Sequence, residues 1–361
     1  MAGALFSLMM VVGSAQAVFT PLQNPLGTSP NETDFPERAI ETRALYLADT
    51  NLRPLQRKVS ETNHAATRAY LISVQAYEAR LRWQQWELAY TYGLANWFEG
   101  NRGAARLFLE SEQRRLRQDT RYSVEATLNR SAVNCWTLTY RGDLAVEAIR
   151  LRYHIGFSYL HLQQVQQGQL QGQKEGDAFA GELTLLTTRG VPASRIGGYG
   201  YAAHAGIALQ TNRWGVSLSV ENLWSHLRVR TAQRINATVR VNQLTPDADG
   251  FLRAPPLLEG RVSEQALERA ARPRTEIALW QRDGARRFGV IATHHADWRL
   301  ALALRWDVHG DALWVTYWQP YPMVMLGYES AHWRIMLGLD TLQPKMQRRF
   351  YGEFCWRIPL E

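Results

Sequence analysis

Charged residues recur at alternate positions inside segments whose other positions are apolar: Glu87, Arg150, Arg152, Arg299, Arg305, Asp307, Arg334, Asp340 and Arg357. In Trp298–Val308 the apolar set is Trp298, Leu300, Leu302, Leu304, Trp306 and Val308, with Arg299, Ala301, Ala303, Arg305 and Asp307 between them. A period of 2 puts each set on one face of a strand. If the apolar face meets lipid, a charge placed there would cost about 2–4 kcal/mol near the midplane, so the charged set must point inward. Two chemistries then compete. The charges line a pore and select solutes, or they pair with one another and fill a narrow interior.

Other chemistry is sparse. His294 and His295 are adjacent and fall on opposite strand faces, while His204, His226, His309 and His332 are scattered, so no metal site and no cofactor is expected. There is no H-E-x-x-H pattern and no G-x-S-x-G elbow. A Ser-His-acid hydrolase is the enzymatic alternative, and no catalytic residue is assigned to it. Cys135 and Cys355 each precede a Trp expected on the lipid face, which turns both thiols inward. A disulfide across the lumen and two separate buried thiols both remain open, because sequence carries no geometry.

The elements that would hold these residues are strands. Thr275–Leu360 reads as a train of them, with Asp283-Gly284, Ala296-Asp297, Gly310-Asp311, Gln319–Pro322 and Ser330–His332 as connections. Trp333, Ile335, Leu337 and Leu339 alternate with Arg334, Met336, Gly338 and Asp340; Phe354, Trp356, Ile358 and Leu360 alternate with Cys355, Arg357 and Pro359. Upstream candidates are Ala39–Asp49, Ala69–Ala79 (Tyr70, Ile72, Val74, Ala76), a run around Trp86–Leu94, Tyr122–Leu128, and Cys135–Tyr140 closed by a turn at Arg141-Gly142-Asp143. They continue with Ile149–Tyr159, Leu183–Thr188, Tyr199–Leu209, Trp214–Val220 and Val229–Leu244. Gly100–Gln118 has the spacing of a short helix, Gln163–Gly176 the composition of a loop, and Arg189–Gly198 that of a turn region. A long loop, 245–274, carries four prolines and a helix over Ser263–Ala271 with Ser263 as N-cap; a lid or a constriction is expected there. Trp86, Trp136, Trp214, Trp298, Trp306, Trp314, Trp333 and Trp356 read as a girdle at the membrane interfaces.

At the N-terminus, Leu5–Val12 is an apolar core followed by Ala15-Gln16-Ala17, an A-x-A site, so residues 1–17 are expected to be a Sec signal peptide cleaved after Ala17. Residues 18–37 are Pro- and Asn-rich and read as an extended segment, and 38–361 as one domain. No run is long and uncharged enough for a spanning helix. The net charge of +8 is dispersed, without the basic module that nucleic-acid binding needs.

The A-x-A site, the alternating strands and the closing Gly352-x-Phe354-x-Trp356 resemble Gram-negative outer-membrane β-barrel proteins as a class. The resemblance implies an all-β fold: a transmembrane antiparallel up-and-down barrel of about 12–14 strands with short loop helices. It also implies an outer-membrane location, contact with lipid and lipopolysaccharide, delivery by the barrel-assembly machinery, and small solutes as partners. The expected function is a channel or transporter for small polar or amphipathic solutes. Alternatives are a closed structural or assembly barrel, an outer-membrane lipid hydrolase, and a secreted β-sandwich.

Overall fold

The computed structural model describes residues 38–50, 68–112, 120–176, 178–189, 191, 197–241, 245–246, 252–253, 257–271, 273–294, 298–319, 322–340 and 349–360. The expected signal peptide, the 18–37 segment and the Ala296-Asp297 turn lie outside the described residues. The strands are β1 (Arg38–Thr50), β2 (Arg68–Trp83), β3 (Trp86–Asn101), β4 (Arg121–Val146), β5 (Ile149–Glu175) and β6 (Ala178–Thr187). They continue with β7 (Gly198–Gln210), β8 (Trp214–Val241), a short bridge of β9 (Thr245–Pro246) and β10 (Leu252–Arg253), β11 (Leu257–Arg269) and β12 (Arg274–Asp283). The last six are β13 (Arg286–His294), β14 (Trp298–Val308), β15 (Asp311–Gln319), β16 (Met323–Glu329), β17 (Trp333–Leu339) and β18 (Arg349–Pro359).

All wall pairings are antiparallel, and β18 pairs with β1 from Ala39↔Pro359 to Asp49↔Arg349, which closes the sheet on itself. Two wall positions are each shared by two strands. Both β6 and β7 run between β5 and β8, while β11 and β12 both lie along β8. The result is a barrel of 14 positions. Large apolar side chains such as Leu302, Leu326, Leu88 and Ile155 stay exposed on its outside. A closed sheet leaves no unpaired edge in lipid and places one apolar face outward, as a membrane-spanning barrel requires. No helix of the described residues is long and apolar enough to cross a membrane.

Tight turns lie at the mouth that also holds the start of β1 and the end of β18. Glu147, between β4 and β5, adopts φ 52°. His309 (φ 52°) and Gly310 (φ 92°) join β14 to β15. Two consecutive positive φ values make a type I′ turn, whose twist matches the strands it joins.

The wall is uneven. β4, β5 and β8 run 26, 27 and 28 residues, whereas β16 and β17 run 7 each. The tall side bends where its ladders break: between Ala132 and Val133, between Ala203 and Ala205 opposite Asn222 (φ 53°), and between Gln265 and Leu267. Each break inserts extra residues on one strand, which kinks it. Above the bend the helix α1 (Arg102–Glu112) is capped by Asn101, whose Oδ1 accepts from Ala104 N at 2.8 Å. A side chain on Gly103 would meet Ser123 O at 1.7 Å, so glycine sets how closely α1 sits on β4.

Several expectations are corrected. Tyr122–Leu128 and Cys135–Tyr140 are one strand, β4, and the ladder passes through Arg141-Gly142-Asp143 to Val146. The Gln-rich stretch 163–176 is not a loop but the upper part of β5 through Glu175, paired on both edges. Ser263–Ala271 is not a helix: 257–269 is β11, and its ladder with β8 overrides the local helix preference. Within 245–274, residues 257–269 are therefore wall extension rather than free loop.

Candidate functional site

The lumen has two tiers. On the mouth holding the start of β1 and the end of β18 it is ionic; further along the same strands it turns apolar. On β1, Glu41 and Arg43 give way to Leu45 and Leu47; on β2, Arg82, Arg80 and Glu78 give way to Ala76 and Val74. On β16 and β17, Glu329 and Arg334 give way to Met325 and Met336. All these inward apolar residues are buried and belong to one core cluster with Leu160, Leu162, Trp318 and Tyr351.

The ionic tier is built from three networks of pairs on adjoining strands. Arg287 Nη2 lies 3.0 Å from Asp307, Arg305 Nε donates to Asp307 at 2.6 Å, and Arg305 Nη1 reaches Glu329 at 3.4 Å. Arg357 joins Glu329 (Nη2, 3.0 Å) to Glu41 (Nε, 3.0 Å) and so spans from β16 to β1. Glu353 accepts from Arg43 at 3.0 Å, from Arg334 Nη2 at 2.7 Å and from the Tyr351 hydroxyl, with none of its side chain exposed. On the next strands Arg80 pairs with Glu78 at 2.6 Å, and Glu87 takes Arg82 at 2.7 Å and Arg141 at 2.8 Å. Charges this far from water survive only when paired and hydrogen-bonded.

The belt continues as neutral polar groups. Thr137 Oγ1 and Ser158 Oγ are 2.9 Å apart, and Thr139 Oγ1 lies 3.1 Å from His204 Nε2. His204 and His154 sit across from each other with ring centroids 6.0 Å apart. Each lies over a glycine of the neighbouring strand: a methyl on Gly156 would meet His204 Nε2 at 2.0 Å, and one on Gly206 would meet His154 Cε1 at 2.3 Å. Among the described residues no cluster of three His, Cys, Asp or Glu could hold a metal ion.

Of the charged residues singled out in the sequence, Glu87, Arg305, Asp307, Arg334 and Arg357 come together in this belt. Arg152 lies below it, 3.6 Å from Asp143. Arg150 does not join them; it is half exposed on the β4–β5 hairpin, bonded to Asp143 at 2.6 Å. Arg299 and Asp340 lie toward the opposite mouth, Asp340 beside Arg349 at 4.0 Å. Glu41, Arg43, Glu78, Arg80, Arg82, Arg141, Arg287, Glu329 and Glu353 went unrecognised. Glu41-x-Arg43, and Arg80-x-Arg82 with Glu87 across a short turn, carried the alternation that could have found them.

Two further expectations change. Trp314 is not in the girdle: it is buried inside, with the Arg305 guanidinium 4.5 Å over its ring. The cysteines are both free. They share one inward rung, Cys135–Thr91–Glu78–Arg43–Cys355, so three strands separate them. Four steps of about 4.8 Å along the wall far exceed the Cα separation of about 7 Å that a disulfide allows.

A closed antiparallel barrel with an apolar outside and an ionic interior defines a transmembrane β-barrel of the outer-membrane type. No family model matches the chain, and no curated protein matches it in sequence. Among solved structures it is similar to the toluene transporter TodX of P. putida (TM-score 0.44, 8% identity, 90% of this chain and 91% of that one). It is also similar to the translocator domain of the autotransporter NalP from Neisseria meningitidis (0.30, 9%, 90% and 87%). A third is the outer membrane protease OmpT of Escherichia coli (0.23, 5%, 89% and 94%). A transporter, a translocator and a protease share this likeness, so it carries no activity over to the present chain.

Proposed function

We propose that this chain is an outer-membrane barrel that passes small amphipathic solutes through its lumen. The observation that supports the reading is the pair of tiers. A conduit for purely polar solutes would be lined with water-binding groups throughout, whereas here Leu45, Leu47, Val74, Met325 and Met336 face inward above the ionic belt. These side chains are buried against one another at rest, so the tier must part to admit a solute; an amphipathic molecule that parts it lays its apolar part there and presents its polar end to the belt. The mouth with the start of β1, the end of β18 and the short turns faces the periplasm in this reading.

Proteoliposome swelling tests it. Reconstituted barrel should admit a short amphipathic carboxylate faster than a sugar of equal size, and Met336→Gln with Leu45→Gln should narrow that preference. No swelling and no current in planar bilayers would sink the channel. A second reading, a non-conducting structural barrel, is favoured by one observation: Glu353, Arg43 and Arg334 are almost wholly inaccessible, as in a filled interior.

A further inference from the structure

We infer that the outer wall of β4, β5, β7 and β8 holds a binding site for a phosphate-bearing lipid of the outer leaflet. The inference rests on the outer-membrane reading above and assigns one lipid to one part of the wall. Three successive outward rungs cross these four strands. The lowest is Leu138–Phe157–Ala203–Trp224. The next is Trp136–Tyr159–Tyr201–His226, and above it runs Asn134–His161–Tyr199–Arg228. Apolar, then aromatic, then polar and basic is the order in which acyl chain, interface and phosphate follow one another along a bilayer normal.

The upper rungs are accessible. Trp136 and Tyr159 are 48% and 40% exposed, and His161, Arg228 and Arg230 are exposed as well. Tyr201 packs against Phe157 (5.7 Å between centroids), Tyr159 (5.5 Å) and Tyr199 (6.0 Å), making a continuous aromatic ledge below the basic groups. Arg230 stands over Gly197, where a side chain would meet its Cδ at 2.8 Å. The facing acid is Glu268, 3.1 Å from Arg228, and Glu264 follows higher on the same strand.

Position makes the feature specific. An interface girdle serves the whole circumference, but this basic rung does not. Near the same mouth the outward positions of β14, β15, β16 and β18 are Trp298, Tyr317, Val324 and Phe350. Among the described residues, the outward arginines of the wall near that mouth are Arg130, Arg228 and Arg230, all on the tall side. A diphosphorylated glycolipid anchored by its chains on Leu138, Phe157 and Trp224 would set its phosphates at Arg228 and Arg230.

The experiment is native mass spectrometry of the full-length barrel released from phosphatidylcholine vesicles doped with lipid A. Wild-type protein should retain lipid A, and Arg228→Ala with Arg230→Ala should lower the retained fraction by about fivefold for each arginine removed. Arg234→Ala, on the opposite face of β8, should retain as much as wild type, and dephosphorylated lipid A should be held no better than phosphatidylcholine. Equal retention by the double variant, an equal loss in Arg234→Ala, or retention of the dephosphorylated lipid overturns the site. Heat-modifiable gel migration verifies that each variant is folded. A chain that never enters the vesicles refutes the outer-membrane reading instead, so the two failures are distinguishable.

Discussion

Arg357 on the last strand donates from Nε to Glu41 on the first at 3.0 Å, directly across the seam that closes the barrel. Both side chains are buried, and Arg357 also holds Glu329 at 3.0 Å. Glu41→Ala would strand part of a buried guanidinium, at a cost of about 3–5 kcal/mol. Replacing both Glu41 and Arg357 by leucine should cost much less than Glu41→Ala. Gel-shift temperature in a melting series reads both. A double-variant loss equal to the sum of the Glu41→Leu and Arg357→Leu losses would show that the pair is not coupled.

Glu353 is the hub of the belt, since Arg43, Arg334 and Tyr351 all converge on it. Glu353→Gln should destabilise the barrel strongly, because two arginines lose their carboxylate together. Tyr351→Phe removes one hydrogen bond to that carboxylate and should cost about 1.5–3 kcal/mol, less than Glu353→Gln. Urea unfolding in detergent micelles ranks the two; a larger effect for Tyr351→Phe would contradict the assignment.

The histidine–glycine cross is a steric relationship. Gly156→Ala drives a methyl into His204 and should break its contact with Thr139, costing about 1–3 kcal/mol. Truncating the imidazole as well, in Gly156→Ala with His204→Ala, should recover part of the loss. A double-mutant cycle without coupling would dissolve the clash.

The β4–β5 hairpin stands beyond the last β3–β4 pair, Trp86↔Tyr140. There the hydrogen bond from Arg150 holds the Asp143 carboxyl below the usual carboxylate range. A depressed folded value means the stabilisation is complete above the unfolded value of about 3.9 and fades as pH falls through the lower folded one. An exposed pair should contribute no more than about 1 kcal/mol. Asp143→Asn should remove this acid-limb dependence of hairpin stability, measured by hydrogen exchange, and should speed neutral-pH exchange by no more than the fivefold or so that about 1 kcal/mol allows.

Cys135 and Cys355 should give identical gel mobility with and without reductant in the folded barrel. Both thiols are buried, so maleimide labelling should proceed only after unfolding. A reductant-sensitive intramolecular crosslink would contradict the three-strand separation.

The alternation in Trp298–Val308 and Trp333–Leu339 was enough to read the wall, because period 2 is a local property of the chain. Register is not local. Nothing near Glu353 announces Arg43, which lies 310 residues away, so the belt could be glimpsed at Arg334 and Arg357 but not assembled. The apolar tier was hidden for another reason: Val74 and Ala76 look like lipid-facing residues until the ladder turns them inward. Composition also misled where it stood in for pairing. Gln163–Gly176 has a loop's residues and a strand's partners, and the Glu-, Gln- and Ala-rich Ser263–Ala271 has a helix's residues but follows the β8 ladder through Arg269.

The pairing of β18 with β1 on one side and β17 on the other also covers two margins of the sheet. Without residues 349–359 the sheet has two raw margins, at β1 and β17, ready to add any strand that meets them. A truncation of only those residues should therefore yield a chain that oligomerises or is degraded instead of a slightly smaller barrel. A closed monomer therefore depends on β1 and β18 being present together.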